Sequence, residues 1–130
     1  MEAIDNRSDM SWEEAARLPL VLLTENMQNR RIITAAFRRA KATPLVVIET
    51  DSMFALYSHV LCSDVFSIVP HSLLSVLGEG HGLTAVPLTP ELNRAIGLIA
   101  LEQDPLPPIV AAAWSTTQAI DLEARFGDPP

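Results

Sequence analysis

A chain of 130 residues with 48% hydrophobic content, a mean hydropathy of +0.22 and only 5% aromatics can fold as one domain with a core of Leu, Ile, Val and Ala, which excludes a disordered chain. Its formal net charge of −7 argues against a nucleic-acid-binding surface, because phosphate contacts require a clustered excess of Lys and Arg. Cys62 is alone, so no internal disulfide forms; the first ten residues lack the apolar stretch of a secretory signal, and no apolar run approaches the ~18 residues of a membrane span. The expectation is a cytoplasmic protein with no membrane partner.

Residues 1–10 are polar and unpatterned and read as a loosely held arm. Ser11-Trp12-Glu13-Glu14 matches a capping box, which predicts a short helix to about Arg17. Residues 18–23 form an apolar run of strand length, buried on both faces. A short polar turn then opens into a helix over residues 29–41, with Ile32, Ile33, Ala36, Phe37 and Ala40 as its buried stripe, stopped at Thr43-Pro44.

A second buried strand is expected at residues 45–49, followed by the N-cap cluster Thr50-Asp51-Ser52 and a helix through Leu61. Residues 65–69 read as a third strand closed by Pro70, and residues 72–77 as a short helix ending at Gly78, before the Gly-rich turn 78–82. Two more strands are expected at residues 83–88 and 95–101, with one helical turn at Thr89-Pro90-Glu91 between them. The proline-rich connector 104–108 leads to a last helix from about Pro108 to Glu123. This alternation predicts an α/β domain, mostly parallel, with helices on both faces of the sheet. Residues 1–10 are the arm, 11–126 the folded lobe and 127–130 a tail.

In open parallel sheets, ligands sit beyond the carboxyl ends of the strands, where helix N-termini offer unpaired N–H groups and a positive dipole end. Two helix openings follow apolar strands here, one carrying Thr24, Glu25, Asn26, Met27, Asn29 and Arg30, the other Thr50, Asp51 and Ser52. With Val69 and Pro70 after the third strand they would line one cleft. The plainer reading of Thr50, Asp51 and Ser52 is capping of their own helix. Cations at a helix start are locally unfavourable, so Arg30 and Arg31 call for an anionic ligand or a neighbouring carboxylate.

His59 and Cys62 lie on one helix, and two ligands do not make a metal site; Cys62 is expected to be a small buried hydrophobe. His71, Glu79 and His81 are a loose grouping of the same kind. No Gly-rich phosphate loop, nucleophile elbow or H-E-x-x-H motif occurs, so no cofactor, metal or catalytic residue is assigned and no enzyme is expected.

Trp12 with residues 18–24, Met27-Gln28-Asn29-Arg30-Arg31-Ile32-Ile33, Val47-Ile48-Glu49-Thr50-Asp51-Ser52, Ser58-His59-Val60 and Ser67-Ile68-Val69-Pro70, together with residues 83–88 and Ile96-Gly97-Leu98-Ile99, resemble in order and spacing the regulatory region of LysR-type transcriptional regulators. The resemblance covers about residues 11–118. It implies a lobe similar to type 2 periplasmic binding proteins, chiefly the second of two lobes, with its last helix returning toward the first. It also implies a small anionic effector, such as a carboxylate, in the inter-lobe cleft, and a homodimer in which Ile33, Phe37 and Arg38 belong to the interface. The family's helix-turn-helix has no counterpart in these residues, so DNA contact is expected only through a domain outside them. Cys62-Ser63-Asp64 stands where such proteins usually have glycines. The expected function is therefore effector sensing, with a stand-alone solute-binding protein of the periplasmic type as the alternative.

Overall fold

The computed structural model describes residues 7–77 and 82–121. The chain divides into two compact units, residues 1–92 (with residue 130) and 93–129.

In the first unit, β1 (Met10–Ser11) leads directly into α1 (Trp12–Ala15). The Ser11 hydroxyl accepts from the Glu14 backbone N–H at 3.2 Å, and the Glu14 carboxylate accepts from the Ser11 N–H at 3.0 Å, completing the expected box. Met10 is buried and pairs with Leu88 of β4 (Leu88–Thr89) in a short parallel ladder. The arm expected through residue 10 is therefore anchored at its last position, because the Met10 side chain belongs to the core.

β2 (Leu20–Leu23) is the centre of the unit, and all four of its residues are buried. β3 (Val46–Thr50) pairs with it in parallel, joining Val21 to Ile48 and Leu23 to Thr50. On the other side of β2, Phe66 forms a parallel bridge with Leu20, so β2 has neighbours on both edges. Its side chains alternate between two clusters. Leu20 and Leu22 pack with Ile33, Ala36 and Phe37 of α2 (Gln28–Arg39), whereas Val21 and Leu23 pack with Leu56 of α3 (Met53–Cys62). Helices thus cover both faces, as the alternation predicts. Trp12 meets Phe37 edge to face, with ring centroids 5.2 Å apart, and its indole N–H donates to the Pro90 carbonyl at 2.9 Å.

Several expectations are corrected. β3 is not buried on both faces: Val47 and Glu49 are exposed, and nothing among the described residues pairs with its outer edge. α2 ends at Arg39, two residues short of the expected 41 and ahead of Thr43-Pro44. Lys41 adopts a left-handed φ of +53°, its N–H donates to the Arg38 carbonyl, and the Ala42 N–H donates to that of Phe37; this pair of bonds closes a Schellman motif.

Residues 65–69 do not form a full strand. Val65 and Val69 pack in one cluster and Phe66 and Ile68 in the other, a strand-like alternation, yet Phe66 alone bridges to β2. Apolar alternation reports burial on two faces, not a completed ladder. Of residues 83–88 only Leu88 lies in a described strand, with the Pro87 carbonyl accepting from the Met10 N–H at 2.9 Å; Pro87 has no N–H with which to extend the ladder further. Thr89-Pro90-Glu91 is not a helical turn; Thr89 is held in β4, and its hydroxyl donates to Asp9 at 3.1 Å.

α4 (His71–Leu77) follows Pro70 directly, one residue earlier than expected. Cys62 is exposed at the last position of α3, not buried. In the second unit, residues 95–101 have no regular structure, because no neighbouring edge among the described residues completes a strand. α5 (Pro108–Gln118) begins at Pro108 as expected and carries no buried residue. Residues 1–6 of the arm, positions 78–81 of the Gly-rich turn with Glu79 and His81, the expected helix end at Glu123 and the tail 127–130 lie outside the described residues.

Candidate effector-binding rim

The pairing of β2 with β3 sets the two helix openings side by side. Leu23 lies opposite Thr50, and one residue further on the Thr24 N–H donates to the Thr50 carbonyl at 3.0 Å. The parallel bridge between Leu20 and Phe66 brings the third segment out at the same end, because three residues beyond it on each chain stand Leu23 and Val69. Val69 accordingly shares a cluster with Leu23, Met27 and Met53. Pro70 is exposed, and its carbonyl accepts from the Leu73 N–H at 3.0 Å, which makes it the start of α4. Thr24, Thr50 and Val69-Pro70 thus lie on one edge of the unit.

The Thr24 turn closes on itself. The Met27 N–H donates to the Thr24 carbonyl at 3.0 Å, and the Thr24 hydroxyl donates to Asn26 Oδ1 at 2.7 Å. This leaves the Asn26 side-chain NH2 and the half-buried Asn29 amide without a partner among the described residues. Met27 is the N-cap of α2 and offers no side-chain acceptor, so the first-turn N–H groups of that helix have no side-chain cap. α3 is different. Ser52 Oγ accepts from the Ala55 N–H at 3.3 Å, and Thr50 Oγ1 from the Ser52 N–H at 3.2 Å. Both hydroxyls cap their own helix, the plainer of the two sequence readings, but an accepting hydroxyl retains its proton for a further acceptor. Glu25 and Asp51 are exposed carboxylates beside these groups.

Arg30 is turned inward and is only 7% exposed. Its Nη1 donates to Glu49 Oε1 at 2.6 Å and to the Leu23 carbonyl at 2.8 Å, and its Nε reaches Thr34 Oγ1 at 3.4 Å. Glu25 Oε1 lies 3.9 Å from Nη2. A neighbouring carboxylate, one of the two explanations for a cation at this helix start, is therefore present as Glu49. The sequence reading missed Glu49 itself; its signal was the cation in the first turn of α2, which requires a counter-charge. With Arg30 neutralised, Arg31 is the exposed cation of the turn, donating to the Asn26 carbonyl at 3.2 Å. The rim is consequently rich in neutral donors and not strongly cationic.

The family model described as the LysR substrate binding domain matches residues 3–119. The chain belongs to this family. No curated protein matches it. LysR substrate-binding domains have a periplasmic-binding-protein-like fold and are regulatory ligand-binding modules, which agrees with the α/β architecture, its parallel pairing and the helices on both faces of β2. Membership gives the chain an effector-sensing role. Among the described residues no helix is long and apolar enough to cross a membrane, and no three His, Cys, Asp or Glu side chains gather to hold a metal ion. Of the three positions assigned to a dimer surface, Ile33 and Phe37 are 4% and 1% exposed. They are committed to the core of their own unit, and only Arg38 is offered outward.

Proposed function

We propose that this LysR substrate-binding domain senses a small carboxylate at the rim formed by Thr24, Asn26, Met27, Asn29, Thr50 and Ser52, with Val69 and Pro70 as its apolar side. Glu25 and Asp51 flank the rim and disfavour ligands with excess negative charge, which points to a compact carboxylate with an apolar body. The observation that carries this reading is the Thr24–Thr50 contact: two hydroxyl-bearing strand tips stand side by side next to a helix start without a side-chain cap. The carboxylate is held by hydroxyls, side-chain amides and helix N–H groups, while the apolar body rests against Met27 and Val69.

In this reading the domain works in the cytoplasm as part of a homodimer. The outward face of α2 that carries Arg38 meets the second copy, and occupancy of the rim biases the arrangement of the pair. DNA is reached through a separate helix-turn-helix domain.

Hydrogen bonds involving a charged group contribute about 1.5–3 kcal/mol each, so two or three of them support binding in the millimolar to high-micromolar range. Calorimetry with acetate, succinate, benzoate and citrate, using benzamide and benzyl alcohol as neutral controls, tests this. Benzoate is expected to bind most tightly of these and the neutral controls not at all. A nanomolar ligand for this chain alone, or equal binding of benzoate and benzamide, contradicts it.

A further inference from the structure

Leu23 and Glu49 each precede a rim threonine, and a single guanidinium nitrogen holds both. Arg30 Nη1 donates to the Leu23 carbonyl at 2.8 Å and to Glu49 Oε1 at 2.6 Å. We propose that Arg30 is a positioning residue that ties the tip of β2 to the tip of β3, fixing the spacing of Thr24 and Thr50 without touching the effector. The proposal rests on the rim being the binding surface for its functional meaning, although the tie itself exists without any ligand.

Three observations carry it. First, among the described residues β3 pairs with β2 alone and its outer edge is open, so its backbone is held from the β2 side. Past the last paired residues that hold is the Thr24 N–H to Thr50 carbonyl bond, and the Arg30 bridge reinforces the last two pairs, Leu22 with Glu49 and Leu23 with Thr50. Second, Arg30 is buried and its neighbours satisfy it: Glu49 supplies the counter-charge, and Thr34, one turn along α2, fixes the guanidinium through Nε at 3.4 Å. Withdrawing it toward a ligand would take the Nη1 donor from the buried Leu23 carbonyl and break the ion pair with Glu49, which is unfavourable. Third, Arg30 lies in the first turn of α2, so the same bridge anchors that helix start over the strand tips.

The test is amide hydrogen exchange on the full chain without ligand, comparing Arg30→Met, Arg30→Lys and Glu49→Ala. The Met10 N–H, which donates to the Pro87 carbonyl at 2.9 Å in the other ladder, serves as the internal reference. Arg30→Met should accelerate exchange of the Thr24 N–H at least tenfold relative to Met10. Glu49→Ala, which leaves the guanidinium its Leu23 and Thr34 acceptors and Glu25 at 3.9 Å, should do so by a smaller factor. Arg30→Lys should restore most of the protection, because an ammonium near the position of Nη1 can donate to both acceptors. Benzoate affinity should fall in the same order across the variants. Equal acceleration at Thr24 and Met10, or an unchanged Thr24 in Glu49→Ala, overturns the proposal; if Arg30→Met does not fold, Glu49→Ala decides alone. Selective loss of Thr24 protection in a protein that binds no benzoate at all upholds the tie and removes the rim as the effector site.

Discussion

The Thr24 N–H donates to the Thr50 carbonyl at 3.0 Å, one position beyond the last paired residues of β2 and β3. Residues separated by an entire helix in sequence become neighbours because a parallel β-α-β unit delivers both strand ends to one edge. If the Thr50 hydroxyl donates to the carboxylate while the Thr24 hydroxyl holds Asn26 Oδ1 and so turns the Asn26 NH2 toward it, Thr24→Val and Thr50→Val should each weaken benzoate binding about threefold to thirtyfold, corresponding to a loss of about 0.5–2 kcal/mol per bond. The double variant should lose less than the product of the two, since contacting residues are coupled. Calorimetric Kd values for the four proteins check this.

The capping box at α1 should make stability depend on pH in acid. The Ser11 backbone N–H, then the Arg7 guanidinium and the Ser11 hydroxyl, hold the Glu14 carboxyl down from its usual 4.5 to about 2. A carboxyl with a depressed native pKa stabilises the fold fully above its unfolded value and loses that contribution as pH falls through the native one. Glu14→Ala should therefore have a lower Tm than the parent above about pH 4.5, with the difference shrinking toward zero near pH 2, as thermal melts across that range would reveal. A constant difference down to pH 2 contradicts the assignment.

Lys41 sits at a left-handed φ of +53° at the end of α2, a conformation costing non-glycine residues roughly 1–2 kcal/mol. Lys41→Gly should raise stability, by about 0.5–1 kcal/mol after the extra unfolded-state entropy of glycine is offset. Urea denaturation gives the value directly, with the m-value unchanged.

Ser67 Oγ is buried with no hydrogen-bond partner among the described residues. A buried unsatisfied hydroxyl costs about 1–3 kcal/mol, so Ser67→Ala should be stabilising by up to that amount in chemical denaturation. A stability loss would reveal a polar role for this hydroxyl that the fold alone does not explain.

Much of the fold was legible because the signals were local. Ser11 and Glu14 spell out a capping box, residues 18–23 read as a doubly covered strand, which the structure forms over 20–23, and Ile33, Ala36 and Phe37 fall on one helical face. What misled was apolar sequence taken as pairing. Residues 65–69 and 83–88 are extended or packed, but a ladder also needs free donors and a partner edge, which Pro87 and the lone Phe66 bridge limit. The convergence of Thr24, Thr50 and Val69 on one edge was legible from polar residues at strand ends. The inward turn of Arg30 was not, because its partner Glu49 lies on the adjacent strand, 19 positions away. The burial of Ile33 and Phe37 was legible as well, since both fall in the apolar stripe of α2, and that burial withdraws them from a dimer surface.

The most direct test of the central claim is chemical-shift mapping of the 15N-labelled chain during a benzoate titration. Saturable shifts at the amides of Thr24, Asn26, Gln28, Asn29, Thr50 and Ser52, with Met10 and Leu88 still, are the expected result. Shifts confined to residues away from the β2 and β3 tips, or none at these amides at millimolar benzoate, would contradict it.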